Sequence, residues 1–234
     1  MPRSLLPLTA LLLTACATRP STLPDDPCRV LVKSVRLPDR DWLPWFTRFA
    51  EHAWVEVRLG DQATRIEWNK YLDAIAHTPL RPPDLANDER WERGVAVHAE
   101  WTGERACELG ERILAVAHRF PDATGYRAWP GPNSNTFVAW LAREVGMGVL
   151  LPPTAVGKDY TPWLAAGLSS TRLGLHVDTA LLGAQVGLVE GVELHLLGLT
   201  AGIALWPPAL ELPFLPAFPG GWFALGSSPT AEPQ

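Results

Sequence analysis

Prolines interrupt this chain so often that few long regular elements can form in it. The 234-residue sequence holds 23 prolines, clustered at 79–83, 130–132, 152–153 and 207–219. Proline fixes φ and lacks an N–H, so each cluster ends a helix or marks the edge of a sheet. Apolar residues flank every cluster, and 47% of the chain is hydrophobic. That is ample for a sizeable core and excludes disorder for the bulk of the chain. The prolines therefore read as loops between short elements.

Between the breaks, periodicity assigns the elements. Residues 30–35 read as a first strand and 39–50 as a short helix with Pro44 in its first turns. The clearest hairpin follows. Ala53, Val55 and Val57 alternate along one strand, Gly60-Asp61 turns, and residues 63–69 return. This register sets His52 opposite Asn69, with Glu67 two residues inward. Residues 78–90 read as a proline-rich loop and 95–101 as a strand. Residues 104–119 form the best helix, with Leu109, Ile113, Val116 and Phe120 on one stripe before Pro121. A rigid stretch from Trp129 to Ser134 leads into a second helix over about 135–145, which Gly146 stops. Its apolar side carries Phe137, Val138, Leu141 and Val145, and Trp140 is expected in the core.

From about residue 172, short apolar β segments separated by glycine predict a meander packed on the first part, with a tight turn at Glu190-Gly191. No uninterrupted apolar run there approaches the ~18 residues of a membrane helix. The fold class expected is α+β, with a core over 29–165, a β-rich part of the same domain over 166–225, and a disordered tail over 226–234.

The N-terminus carries an address. Arg3 precedes an apolar stretch from Leu5 to Leu13, ending in Leu13-Thr14-Ala15-Cys16. This resembles the lipobox of bacterial lipoproteins, and it predicts removal of residues 1–15 and lipidation, such as palmitate, on Cys16. Residues 16–28 would then be a tether. The partner implied is a membrane, reached through the lipid. Ala17, where an aspartate would signal inner-membrane retention, favours the periplasmic face of the outer membrane.

The formal charge is −5, one unit more negative once Arg3 leaves, and no basic run exists. Nucleic acid is therefore not expected as a partner. Besides Cys16 there are only Cys28 and Cys107. An oxidising envelope permits their disulfide, and two separately buried thiols are the alternative. His77, His98, His118, His176 and His195 show no HxxxH or HxH spacing, so neither a metal site nor a cofactor is expected.

Three segments carry a resemblance: residues 52–57 (His-Ala-Trp-Val-Glu-Val), residues 130–138 around Asn133-Ser134-Asn135-Thr136-Phe137, and residues 151–160 ending in Lys158-Asp159-Tyr160. They resemble a bacterial family known as domain of unknown function 3750, over most of the chain. More distantly, the order of His52 and then Ser134 before Phe137 resembles circularly permuted papain-like folds. The lecithin retinol acyltransferase and desumoylating-peptidase groups have a histidine opening a strand and, later, a cysteine in an Asn-Cys-x-x-Phe frame at a helix start. The resemblance implies Ser134 as nucleophile in the cysteine's place and His52 as base. Asn69 or Glu67 would orient the imidazole, with Asn69 favoured by register. First-turn N–H groups would hold an oxyanion. Asn133, Asn135, Trp54 and Lys158 are the candidate substrate contacts. A serine stays protonated where a thiol would ionise, so it needs strict base catalysis. By residue type alone, Asn133 and Ser134 are ordinary helix-cap residues.

Two functions follow as expectations. One is an envelope hydrolase or acyltransferase acting on an amide or ester, with cell-wall peptides or lipids as substrates. The other is a non-catalytic lipoprotein that binds an envelope partner.

Overall fold

A computed structural model describes residues 26–38, 45–80, 94–123, 125–215 and 217. The leader, Cys16, most of the tether, the start of the expected 39–50 helix, most of the 78–90 loop and the tail lie outside the described residues. No helix among the described residues is long and apolar enough to cross a membrane.

The architecture is α+β, with two antiparallel sheets and two helices. The first sheet comprises β1 (Cys28–Arg36), β2 (Glu51–Leu59), β3 (Gln62–Asn69), β4 (Ala74–Leu80) and β5 (Val95–Thr102), in spatial order β4-β3-β2-β1-β5. The β2–β3 hairpin has the expected register, pairing Val55 with Ile66 and Leu59 with Gln62 around Gly60-Asp61. β4 was not legible, because Ala74 to Leu80 is an exposed edge strand without clean alternation. A short 3-10 turn at Trp45–Phe49 is the described part of the expected first helix.

Helices α1 (Gly103–Val116) and α2 (Ser134–Val145) cover one face of this sheet. Val30, Val32, Ala53, Val55, Val57 and Ile66 meet Leu109, Ile113, Phe137, Val138, Leu141 and Val145 in one fully buried cluster. Burying a Val, Leu, Ile or Phe side chain stabilises by roughly 1.5–3 kcal/mol each, so this face holds the domain together. Cys28 and Cys107 form a disulfide that ties the start of β1 to α1, with Cα atoms 5.1 Å apart.

The second sheet is a meander: β6 (Ala165–Leu168), β7 (Gly174–Asp178), β8 (Leu182–Gly187), β9 (Gly191–Leu196), β10 (Leu199–Leu205) and β11 (Pro208–Glu211), each beside its chain neighbour. The expected single segment 192–199 is two strands turned at Leu197-Gly198, both at positive φ. Gly198 also anchors the sheet, since its carbonyl accepts from Gly157 N at 2.7 Å. A Cβ there would lie 2.2 Å from the Pro130 carbonyl oxygen. The meander was expected to pack on the first part, and it turns its polar side inward: Asp178, Gln185, Glu193, His195 and Glu211 are buried, while Leu175, Leu194 and Ile203 are exposed.

The disulfide closes a loop over a sequence separation of 79, a span for which cross-linking contributes typically about 2–4 kcal/mol. Cys107→Ser is expected to lower unfolding free energy by that amount in denaturant titration. Reduction of the wild type should reproduce the loss, and reduction of the variant should change nothing further.

Candidate functional site

The Asn133-Ser134-Asn135-Thr136 run forms the start of α2 and functions as a tertiary fastener. Asn133 is the N-cap. Its side-chain oxygen accepts from Asn135 N at 2.9 Å and Thr136 N at 3.2 Å, and Asn133 N donates to Thr136 Oγ1 at 2.9 Å. This reciprocal arrangement satisfies the first-turn donors that a helix otherwise leaves open. The Asn133 amide also donates to the carbonyls of Ala128 and Val156. Asn135 accepts from Ala53 N at 3.0 Å and donates to Glu51 O at 2.8 Å and Val156 O at 2.9 Å. Thr136 Oγ1 donates to Gly157 O at 2.6 Å. Three neighbouring side chains thus bind β2, the 128 loop and the 156–157 loop to one helix end.

Asn133 and Asn135, expected to contact substrate, are committed to backbone in this way. Trp54 is also fully buried, with its indole N–H donated to Glu56 at 2.8 Å and the Arg65 guanidinium 4.0 Å above its ring. Of the first-turn N–H groups expected to hold an oxyanion, those of Asn135 and Thr136 are already held by Asn133. Ser134 is 2% exposed and lies beside the Tyr126 phenol. Burial raises the Tyr126 pKa, the Ser134 hydrogen bonds oppose that rise, and the Glu67 charge adds to it.

His52 lies on β2 as expected, and its Nε2 is 2.7 Å from Glu67 Oε2. Glu67 is therefore the residue that orients the ring. Asn69, favoured by register, instead accepts from Tyr71 N and Leu72 N and caps the β3–β4 turn. Side chains alternate across a strand. Ala53, Val55 and Val57 face α2, so His52 lies with Trp54, 6.0 Å ring to ring, toward the opposite face. His52, Tyr126 and Ser134 nonetheless border one recess at the sheet's end, together with Glu51, Thr47 and Val156.

Sequence reasoning missed two clusters. The first joins Ser34, His98, Glu51 and Thr154 beside that recess. Ser34 Oγ donates to Glu51 at 2.5 Å and lies 2.7 Å from His98 Nε2, and Thr154 donates to the other Glu51 oxygen at 2.8 Å. Burial lowers the His98 pKa, opposed by the Glu51 charge. A β-bulge opposite Val32 and Lys33 brings His98 inward. Bulges of this kind are not legible in single-sequence alternation.

The second cluster underlies the meander. Lys158, expected at a substrate cleft, is buried with its ammonium 2.7 Å from both Asp159 Oδ2 and Glu193 Oε2. His195 joins through Asp178 at 2.5 Å, and Thr200 donates to Asp159 at 2.8 Å. Asp159, Glu193 and His195 converge with ligand-type atoms within 4.8 Å, although spacing predicted no metal site. The Lys158 ammonium bridges the two carboxylates and supplies positive charge there. Burial disfavours the Lys158 charge, but Asp159, Glu193 and Glu211 outweigh it and raise the pKa. Burial likewise opposes the charge of His195, yet Asp159 and the hydrogen bonds to Asp178 and Glu193 lift it to about 9. Glu211 is pushed up to about 8 by burial and by the Glu193 charge, and neither of its oxygens has a hydrogen-bond partner.

A larger recess lies elsewhere, between α2 and the first meander strands. It spans about 1080 Å³, open solvent included, and is lined by Trp140, Arg143, Tyr160, Leu164, Arg172 and His176 among others. Trp140, expected in the core, is only partly buried and forms part of this wall.

Comparison with protein-family models matches residues 33–160 to a family described as a protein of unknown function, DUF3750. The chain belongs to this family. No curated protein and no solved structure matches it. The span matched to DUF3750 holds the last part of β1, both helices, His52, Ser134 and the Lys158-Asp159 pair, and it ends at Tyr160, before β6.

Two outcomes follow. Asn135→Ala strands backbone groups of Ala53 and Glu51 and removes one of two donors to Val156 O, at about 1–3 kcal/mol per unsatisfied group. It is expected to lower stability by several kcal/mol in denaturant titration, while Ser134→Ala costs about 1 kcal/mol or less. The second concerns pH. The raised His195 pKa stabilises the fold fully below its ordinary 6.5, and that contribution is lost as pH climbs through about 9. Folded Glu211 holds a proton that the unfolded chain releases above about 4.5, so its contribution also falls as pH rises toward 8. The melting temperature should drop between pH 6.5 and 9, and Glu211→Gln should flatten the part of the slope below pH 8.

Proposed function

We propose that this DUF3750 protein is exported, anchored in the cell envelope by lipid on Cys16, and serves there as a non-catalytic binding or structural module. The observation that carries the non-catalytic reading is the start of α2, where Asn133, Asn135 and Thr136 bind backbone and Ser134 is buried beside Tyr126. A side chain buried and bonded in this way maintains a frame. The Cys28–Cys107 disulfide supports an oxidising compartment, because such bonds persist outside the cytosol. The outer membrane is the address that Ala17 favours. The groove between α2 and the meander, walled by Trp140 and Tyr160, suits a cell-wall or protein ligand, since aromatic faces pack on apolar C–H groups.

A second reading retains a permuted papain-like arrangement with activity as a hydrolase or acyltransferase. It is favoured by chain order, by α2 packing on the strand that carries His52, and by the 2.7 Å His52–Glu67 pair bordering the same recess as Ser134. With Nε2 on Glu67, Nδ1 would be the base that takes the Ser134 proton during attack on an acyl carbon. The Ser134 N–H would hold the oxyanion.

One experiment separates them. A fluorophosphonate probe is applied to wild type, Ser134→Ala, His52→Ala and Tyr126→Phe, each first checked for folding. The non-catalytic reading expects equal, background labelling in all four. Labelling that vanishes in Ser134→Ala and His52→Ala and rises in Tyr126→Phe would establish the enzyme instead. The anchor is tested by palmitate incorporation, which Cys16→Ser should abolish.

A further inference from the structure

The meander is inverted relative to an ordinary sheet on a core. One continuous cross-strand row runs through all six strands: Leu168, Leu175, Val186, Val192, Ile203 and Leu210. Every member is exposed, from 47% at Leu168 to 65% at Leu175. The adjacent row on the same face, Ala166, Val177, Ala184, Leu194 and Ala201, is also wholly aliphatic. The row between them, facing inward, reads Gly167, His176, Gln185, Glu193, Gly202 and Glu211. Apolar-out and polar-in alternation is the pattern of strands that face lipid, and exposed patches of this extent mark protein or membrane contacts.

We infer that this aliphatic face of the meander is a membrane-docking surface that inserts into the acyl-chain region of one bilayer leaflet. Three observations favour hydrocarbon over a protein partner. Protein interfaces carry about one hydrogen bond per 100–200 Å² and are enriched in aromatics and arginine at their core, whereas these two rows contain only Leu, Val, Ile and Ala. Trp163, 72% exposed, precedes β6 at one end of the strand array. Trp206, 59% exposed, follows β10 at the other end. Tryptophan at the margin of an apolar surface suits the water–hydrocarbon boundary. The charges beneath are compensated internally by Lys158 and His195, so insertion brings no exposed charge into lipid.

Strand length sets the depth. The strands hold 4 to 7 residues, against the ~9–11 that a spanning strand needs. The face enters one leaflet and does not cross. This contact is separate from the proposed Cys16 lipid, and it needs no anionic headgroup, because the two outward rows carry no basic side chain.

The test uses the full chain carrying Cys16→Ser, so that no lipid anchor contributes, with neutral phosphatidylcholine vesicles and flotation as the readout. Binding is expected, unchanged on raising the salt, with tryptophan fluorescence quenched by bromolipids. Leu194→Asp and, separately, Leu175→Asp on a different strand should each weaken partitioning at least tenfold while keeping the circular dichroism of the parent. Having two variants guards against misfolding of either. Equal flotation of parent and folded variants would assign binding to the leader and overturn the proposal. No binding, binding lost at high salt, or a stable dimer that Leu194→Asp dissociates would do the same, the last in favour of a second copy of this chain. None of these results bears on Ser134 labelling or on palmitate incorporation, so failure here is distinguishable from failure of the proposed function.

Discussion

A buried ionic cluster centred on one ammonium helps tie the meander to the first part of this molecule. Lys158, on the loop that leaves the family-matched core, lies between Asp159 of its own segment and Glu193 of β9. The main hydrophobic cluster contains no residue beyond Ala155, and the meander's own buried cluster is three alanines. Burial of apolar area, the usual adhesive between layers, therefore attaches the meander only weakly. Ionic and hydrogen-bonded contacts take its place, and they require the sheet's polar face to turn inward. The apolar face is left outward as a consequence. Removing one partner of such a network leaves a buried charge uncompensated, which costs more than the intact network contributes.

The same polarity organises the start of α2. A serine there, in a frame that resembles a nucleophile's, is surrounded by side chains whose hydrogen bonds close the loops at 128 and 156–157 onto β2. Such groups make poor substrate contacts because each is already satisfied, and a satisfied buried network rigidifies what it joins. Tyr126 belongs to the arrangement through Ser134 and through its edge-on contact with Trp68, ring centroids 5.2 Å apart. Its position in an irregular loop, with no periodic signal around it, kept it out of sight in the sequence.

The DUF3750 core and the meander also differ in how their sequences map to faces. In β2, alternation put Ala53, Val55 and Val57 on the buried side, as apolar periodicity normally implies. In β7 to β10 the sequence shows glycine-separated apolar segments, and their alternation in the fold sets the apolar residues outward. Periodicity identifies two faces and never states which one meets the protein, since that depends on what the rest of the chain presents to it. Here it presents Lys158 and Asp159. The Asn69-for-Glu67 error has a similar root: direct cross-strand neighbours were weighed, while the imidazole reached a diagonal partner on the same face.

The amino-acid sequence by itself determined the local elements: the β2–β3 hairpin from its Gly60-Asp61 turn, α1 and α2 from their apolar stripes, and the meander as a run of glycine-separated β segments, though not its edge strands β6 and β11. Short-range sterics and side-chain periodicity suffice for these. Tertiary structure alone decided the choice of Glu67 beside His52, the gathering of Ser34, His98 and Glu51, the closing of the Cys28–Cys107 bond and the inward turn of the meander's charges. Each depends on residues far apart in the chain competing for the same buried space. In that space an unpaired polar group costs far more than in water, and only the assembled fold determines which partners meet.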